Sequence, residues 1–372
     1  MIAILTADLF SQANTLPLLT IFQLGSEGRH IIWTHPVRDP ADQASSAIGL
    51  WLQTLPLFLR ESVAAVLDFG TESSIAAGTL RIVITADTER QISPGWPHVT
   101  LTDGLRLLQT PLTVVLENRR SDRAFLEGIT LPAQRPSLKQ AVASGWLCFE
   151  SSGGIPELVK RLEDQVEQEK LPTQQRKEAA LCHLRWWCLC DRDSSKPGGL
   201  SDQADRLETA RKELKPELPY GPLRRRMSES YLPEKALELW ADKPAKEDER
   251  RLRQTQLAAW KKLSPSLRER FELKQGFLWG LSGARKTQLM SSPKHTVTKA
   301  ELLRALSPQT PAEKTLVTEL HRDKAFLQAL KSGLGNELSA LFSDEKFQEA
   351  WLNGEVSHAE RFDLIQSILS RL

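Results

Sequence analysis

The chain predicts an α/β protein with a helical carboxyl-terminal region, on three observations. Short β-branched and aliphatic runs alternate with helix-like spacing through about residue 241. Two of those runs stop abruptly at carboxylates. Beyond Lys243 the strand-like runs cease, and charged, helix-periodic sequence continues to Leu372.

In residues 1–106, IAILTA at 2–7, LTIFQL at 19–24, HIIWTH at 30–35 and LRIVITAD at 80–87 have the composition of strands. Ala44–Leu59 and Glu61–Leu67 carry apolar residues at helical spacing, interrupted at Pro56. This region is an N-terminal α/β domain, or an extension of the sheet that follows, and it shows no chemistry of its own. Residues 107–241 continue the strand–helix alternation and form a second domain. Residues 242–372 form a third, helical one. There Asp242–Arg253 is a linker or helix start, and Thr298-Lys299-Ala300-Glu301 is a capping box. Ser343-Asp344-Glu345 opens a helix bearing Phe347 and Trp351. His358–Leu372 closes the chain with Phe362, Ile365, Ile368 and Leu369 on one face. No internal repeat or low-complexity tract is visible.

Composition bounds the function. At 372 residues, 40% hydrophobic and 26% charged, the chain has an ordinary globular make-up and enough length for a large core. A net charge of +2 leaves nucleic-acid affinity to local patches. No run approaches the ~20 apolar residues of a membrane span. The start, MIAILTADLF, has no basic segment of the signal-peptide kind. Four cysteines make no disulfide framework, so a reducing, cytoplasmic setting is the expectation.

The acidic strand ends carry the chemistry. Leu184–Asp193, LRWWCLCDRD, is an apolar run ending in two aspartates one residue apart. In an extended chain Asp191 and Asp193 share a face, ~6.5 Å apart, while Arg192 points away. Pro111–Leu126, PLTVVLENRRSDRAFL, stops at Glu117 and then turns into a helix with Ser121 or Asp122 as its N-cap. Each acid also has an ordinary reading: Asp193 caps the next helix, Asp122 caps its own, and Glu229 pairs with a neighbouring arginine. Glu117 is the exception, since an acid ending a buried strand needs a partner.

These motifs come in the order Glu117 with Ser121–Leu126, then Asp191-Arg192-Asp193-Ser194, then Met227-Ser228-Glu229-Ser230-Tyr231-Leu232. In that order the segment resembles the TOPRIM domains of OLD-family nucleases and related bacterial anti-phage defence proteins, over roughly residues 107–241. Asn118 stands where those domains usually carry glycine; asparagine tolerates the left-handed conformation such a turn uses. The resemblance implies a mainly parallel sheet flanked by helices and a metal-dependent nuclease acting on DNA or RNA. Glu117, Asp191 and Asp193 would be catalytic and, with Glu229, ligate Mg2+ or Mn2+, two ions in all. Two hard cations ~3.5–4 Å apart neutralise the charge of phosphodiester cleavage, and magnesium takes oxygen ligands. Asp122 would orient a water or ligand. Gly153 and Gly154 would form the turn beside the active crevice, unless their role is plainly steric. Arg119, Arg120, Arg123, Lys196, Arg224, Arg225 and Arg226 would hold the phosphate backbone.

No ATPase motif or nucleotide cofactor site is present, so the resemblance also implies a separate ATPase or sensor partner. It would dock on residues 1–106 or on the helical last third. The alternative is a catalytically degenerate TOPRIM scaffold within a defence complex, which Asn118 favours. Other signals fall away. GLSGARKT at 280–287 has Arg285 in place of the glycine that precedes lysine in a phosphate-binding loop. Cys182, His183, Cys188 and Cys190 lack zinc-site spacing, and the last two sit in a buried strand. Tyr231 reads as a packing residue rather than a DNA nucleophile. The ten tryptophans are scattered, as core residues are.

Overall fold

Two four-stranded sheets, parallel throughout, occupy the first 222 residues of the chain. The computed structural model describes residues 1–34, 45–73, 80–86, 96–171, 178–192, 199–244, 246–292, 295–344 and 358–372. The first sheet is built from β1 (Ile2–Leu5), β2 (Ile31–Thr34), β3 (Arg81–Thr85) and β4 (His98–Thr100), in the order β2-β1-β3-β4. The second uses β5 (Leu112–Leu116), β6 (Leu147–Ser151), β7 (Trp186–Cys190) and β8 (Tyr220–Pro222), in the order β6-β5-β7-β8. Each sheet therefore runs second strand, first, third, fourth. The topology repeats although the sequence shows no repeat, because parallel strands constrain only burial and crossover, not residue identity.

Helices in the first half are α1 (Thr15–Ser26), α2 (Ala47–Gln53), α3 (Leu57–Ser73) and α4 (Leu101–Gln109). The run LTIFQL, expected as a strand, lies inside α1. Its neighbours settle the matter: Leu18, Ile21, Phe22, Leu24 and Gly25 are buried, and the steps of three and four from 18 to 21, 22 and 25 are those of a helix face. Pro56 separates α2 from α3, as its fixed φ and missing N–H require. The predicted strands at IAIL, IIWT and RIVIT are present.

Around the second sheet, α5 (Arg119–Ile129) and α6 (Arg135–Ala143) cover one face, with Phe125, Leu126, Ile129 and Leu138 packed on Leu112, Val114 and Trp187. The other face, carrying Val115, Cys188 and Cys190, packs on α7 (Ile155–Lys170) and α8 (Asp202–Glu213). That burial on both faces explains the unbroken apolar runs of β5 and β7.

The expected domain boundaries shift. Position 106/107 falls inside α4, whose Leu107 and Leu108 belong to the first sheet's core, together with Leu181 and Leu184. At 241/242 the cut falls inside α9 (Glu234–Asp242). The helices beyond it run from Glu247–Lys261 through Pro265–Arg270, Gly283–Ser291, Lys299–Leu306, Pro311–Arg322 and Lys324–Ala329 to His358–Leu369. Their apolar faces share one continuous core with the second sheet. The capping box at Thr298 and Glu301 forms as expected. Ser343 ends a 3-10 turn, Asn336–Ser343, while Phe347 and Trp351 lie outside the described residues. In the last helix Ile365 and Ile368 are fully buried, but Phe362 is 45% exposed because Leu364 takes the inward position. Among the described residues no helix is long and apolar enough to cross a membrane.

Candidate active site

In a sheet of this order the connections from the first strand leave in opposite directions at the gap between first and third strands. Ligands bind outside the carboxyl ends there. In the second sheet that gap lies between β5 and β7. Glu117 directly follows β5 and Asp191 directly follows β7. The Asp191 N–H points to Glu117 Oε2 at 3.4 Å. Asp191 Oδ1 in turn accepts from the Ser228 N–H at 3.0 Å, which draws in the 3-10 turn Ser228–Tyr231 and with it Glu229.

Glu229 has no exposed surface. Its Oε2 accepts from Ser228 Oγ at 3.2 Å, and its Oε1 lies 3.0 Å from Lys274 Nζ. Asp122 completes the set from the first turn of α5. Its Oδ2 accepts from the Asn118 N–H at 2.7 Å and its Oδ1 from Ser121 Oγ at 3.1 Å.

Glu117, Asp122 and Glu229 thus act on Asp191 through their charges, and the Lys274 ammonium acts on Asp122, Asp191 and Glu229. Burial, then the charges of Glu229, Glu117 and Asp122, pushes the Asp191 carboxyl well above the usual carboxylate range. Burial is also the main cause that raises Asp122, to about 6, with Glu229 adding to it. Burial alone would disfavour the Lys274 ammonium. The carboxylates of Glu229 and Asp191 outweigh it and hold the pKa above its ordinary value.

The first sheet offers a contrast at its own switch point. There Asp8 Oδ2 accepts from Thr85 Oγ1 at 3.1 Å and from the Ala86 N–H at 2.8 Å. Those hydrogen bonds and one from Thr6 outweigh burial and hold its pKa below the ordinary value. This satisfied carboxylate ties the segment after β1 to the end of β3.

Asn118, not Ser121 or Asp122, is the N-cap of α5, its Oδ1 accepting from the N–H groups of Arg120 and Ser121. Its φ of −129° is extended, so the left-handed tolerance of asparagine is not used. Asp122 supports the same cap from within the first turn, so its capping and electrostatic roles coexist.

Gly153 (φ +84°) and Gly154 (φ +124°) lie beside Glu117. Ser152 N–H and Oγ both donate to the Leu116 carbonyl, and Ser151 Oγ to the Glu117 carbonyl at 3.4 Å. A Cβ on Gly153 would meet nothing within 4 Å. Positive φ rather than close packing is what glycine supplies there.

The arginines divide. Arg119, Arg120 and Arg224 are exposed. Arg123 pairs with Glu127 at 2.8 Å and lies over the Phe149 ring. Arg225 donates to the Ser230 carbonyl at 2.7 Å and lies over Tyr231. Arg226 is corrected from backbone binder to core residue. It is buried, 3.3 Å from Glu272, donates to the Arg270 carbonyl and lies 3.9 Å from the Trp279 ring centre, so no phosphate reaches it. Asp193 and Lys196 lie outside the described residues.

Lys274 is the residue that sequence reading missed. It comes from the turn between Pro265–Arg270 and the next helix, in the region assigned to a separate helical domain, and FELKQG has no motif to mark it. The one available signal was indirect: a buried Glu229 requires a cation from somewhere.

The remaining signals resolve as structure. Ser282 N-caps Gly283–Ser291, and a 3-10 turn rather than a strand precedes it, so no phosphate loop forms. Cys188 and Cys190 are buried in β7, and His183 pairs with Glu169 at 3.1 Å. Tyr231 is buried against Phe125, its hydroxyl accepting from the Arg225 N–H.

Hard oxygen donors in excess negative charge suit a divalent cation of the magnesium type. Among the described residues no three side chains of His, Cys, Asp and Glu stand close enough to hold one metal ion. Magnesium commonly takes one or two carboxylates and keeps its other positions for water and substrate, so the donor set fits that mode of binding. No family model matches the chain, and no curated protein or solved structure matches it either.

Proposed function

We propose that the protein is a metal-dependent nuclease of the TOPRIM class, cleaving phosphodiester bonds in DNA or RNA, and the effector of a bacterial anti-phage defence system. The observation that carries this reading is the gathering of Glu117, Asp122, Asp191 and Glu229 at the switch point of the second sheet. Burial and mutual repulsion raise Asp191 and Asp122, and a divalent cation would relieve the repulsion. Defence is the part that rests on motif resemblance alone.

One or two of the carboxylates of Glu117, Asp191 and Glu229 would hold each Mg2+ or Mn2+, with Asp193 as a further ligand. The bound ions would supply charge neutralisation at the scissile phosphate. The chain's own residues do the rest. The Ser228 N–H fixes the Asp191 carboxylate, and the Asn118 N–H fixes Asp122 at the rim. With a pKa of about 6, Asp122 can hold or release a proton near neutral pH, as an acid–base group must. Lys274 Nζ, 3.0 Å from Glu229 Oε1, holds that carboxyl in place.

The test is cleavage of labelled single- and double-stranded DNA and RNA with Mg2+ or Mn2+. Glu117→Ala and Asp191→Ala proteins should each lose at least ~100-fold in rate. Full activity in both would end this reading.

A second reading, a degenerate scaffold subunit, is favoured by one observation: the Lys274–Glu229 pair already compensates part of the cluster. A scaffold would leave the carboxylates without metal at millimolar Mn2+. A separate ATPase or sensor partner belongs to both readings.

A further inference from the structure

Between α5 and α6, with Ser343 at its edge, lies a groove of about 370 Å³. Arg123, Arg135 and Lys139 border it, and Leu138 and Ala143 contribute to its apolar floor. Glu127 is the acid in the lining and is taken by Arg123 at 2.8 Å. Arg135 uses its Nε on the Thr130 carbonyl at 3.0 Å, and its terminal nitrogens stay available; Lys139 is exposed. Among the described lining residues, Arg135 and Lys139 are then the cations left along the groove. Arg123, its first lining residue, follows Asp122 of the cluster along α5. From Arg123 to Thr130 the groove runs seven residues along α5, ~10 Å at helical rise.

We propose that this groove receives an unpaired nucleotide flanking the scissile phosphate, its base over the Leu138–Ala143 floor and its phosphate between Arg135 and Lys139. The inference rests on the nuclease reading and narrows its substrate to one with a single-stranded flank. Three features favour a nucleotide. The apolar floor suits the face of a base, which every base possesses. The free cations suit phosphate, guanidinium above all. The volume accommodates one base and its sugar, whereas a base inside a duplex has its faces covered by its neighbours.

The test is anisotropy of fluorescein-labelled 12-nucleotide DNA and RNA strands and of the matching blunt duplexes, in metal-free buffer, with full-length protein. Single strands should bind at least ~5-fold tighter than duplex. Lys139→Ala should weaken single-strand binding ~5-fold and reduce the magnitude of the log–log salt slope by about 0.7. Ala143→Trp fills the groove without changing charge and should weaken single-strand binding ~10-fold while sparing duplex binding. Lys139→Glu, on an exposed helix position, serves if the tryptophan variant does not fold. Single strands that bind equally well to wild type, Lys139→Ala and Ala143→Trp would overturn the groove while leaving the nuclease reading intact. A protein that binds no oligonucleotide, with or without Mn2+, would overturn both.

Discussion

Lys274 Nζ stands 3.0 Å from Glu229 Oε1, so a residue of the carboxyl-terminal helical region neutralises an acid of the second sheet's crevice. Glu229 is wholly buried, and a buried charge that loses its partner costs far more than a surface pair is worth. Lys274→Met should destabilise the protein by roughly 3 kcal/mol. Urea unfolding measures this, and Lys274→Met/Glu229→Gln should recover most of the loss. Mn2+ should recover part of it as well, since a divalent ion replaces the missing charge. An unchanged midpoint in the single variant would show that the pair does not set the balance of the cluster.

The raised carboxyls give a pH dependence whose sign is fixed. Asp122 titrates at 3.8 in the open chain and at about 6 when folded, so the folded protein binds the proton more tightly. Its contribution to stability is full below about pH 4 and is lost as pH rises through about 6. Asp191, raised for the same reasons, acts in the same direction. Asp122→Asn removes the charge and should stabilise relative to wild type by roughly 1–2 kcal/mol more at pH 8 than at pH 4. Thermal melts at the two pH values decide it, and an equal difference at both would refute the electrostatic account.

Asn118 acts as a helix cap and not as a left-handed hinge. Asn118→Ala should therefore cost about 1 kcal/mol, and Asn118→Gly only a few tenths. Chemical unfolding of the two variants measures the difference. Glycine more stabilising than asparagine by 1 kcal/mol or more would mean that the turn wants positive φ after all.

At Gly153 the expectation is reversed. A methyl group has open space but φ is +84°, so Gly153→Ala should cost roughly 1 kcal/mol through backbone strain alone. A neutral melting temperature would place the requirement elsewhere in the turn.

Much of this was readable from residues, and the limits have physical causes. The strands β1, β2, β3, β5 and β7 follow from aliphatic runs, and Glu117 and Asp191 from runs that stop at an acid. LTIFQL misled because four apolar residues in six fit a buried strand and a buried helix equally. The buried positions Leu18, Ile21, Phe22 and Gly25 extend the pattern and decide it. The repeated sheet order, the shared core that erases the boundary near 241, and Lys274 are long-range facts with no local spacing. Arg226 misled for the same reason: a run of three arginines looks solvated until Glu272 and Trp279, distant in sequence, enclose one of them.

The central claim is that carboxylates among Glu117, Asp191 and Glu229 bind divalent cations, one or two carboxylates to an ion. Isothermal titration calorimetry of the full chain with Mn2+ at pH 7.5 tests it most directly, comparing wild type with Asp191→Asn. The account predicts saturable binding of up to two ions in the wild type, weakened at least ~10-fold in the variant. No heat of binding in either protein, or the same isotherm in both, would contradict it.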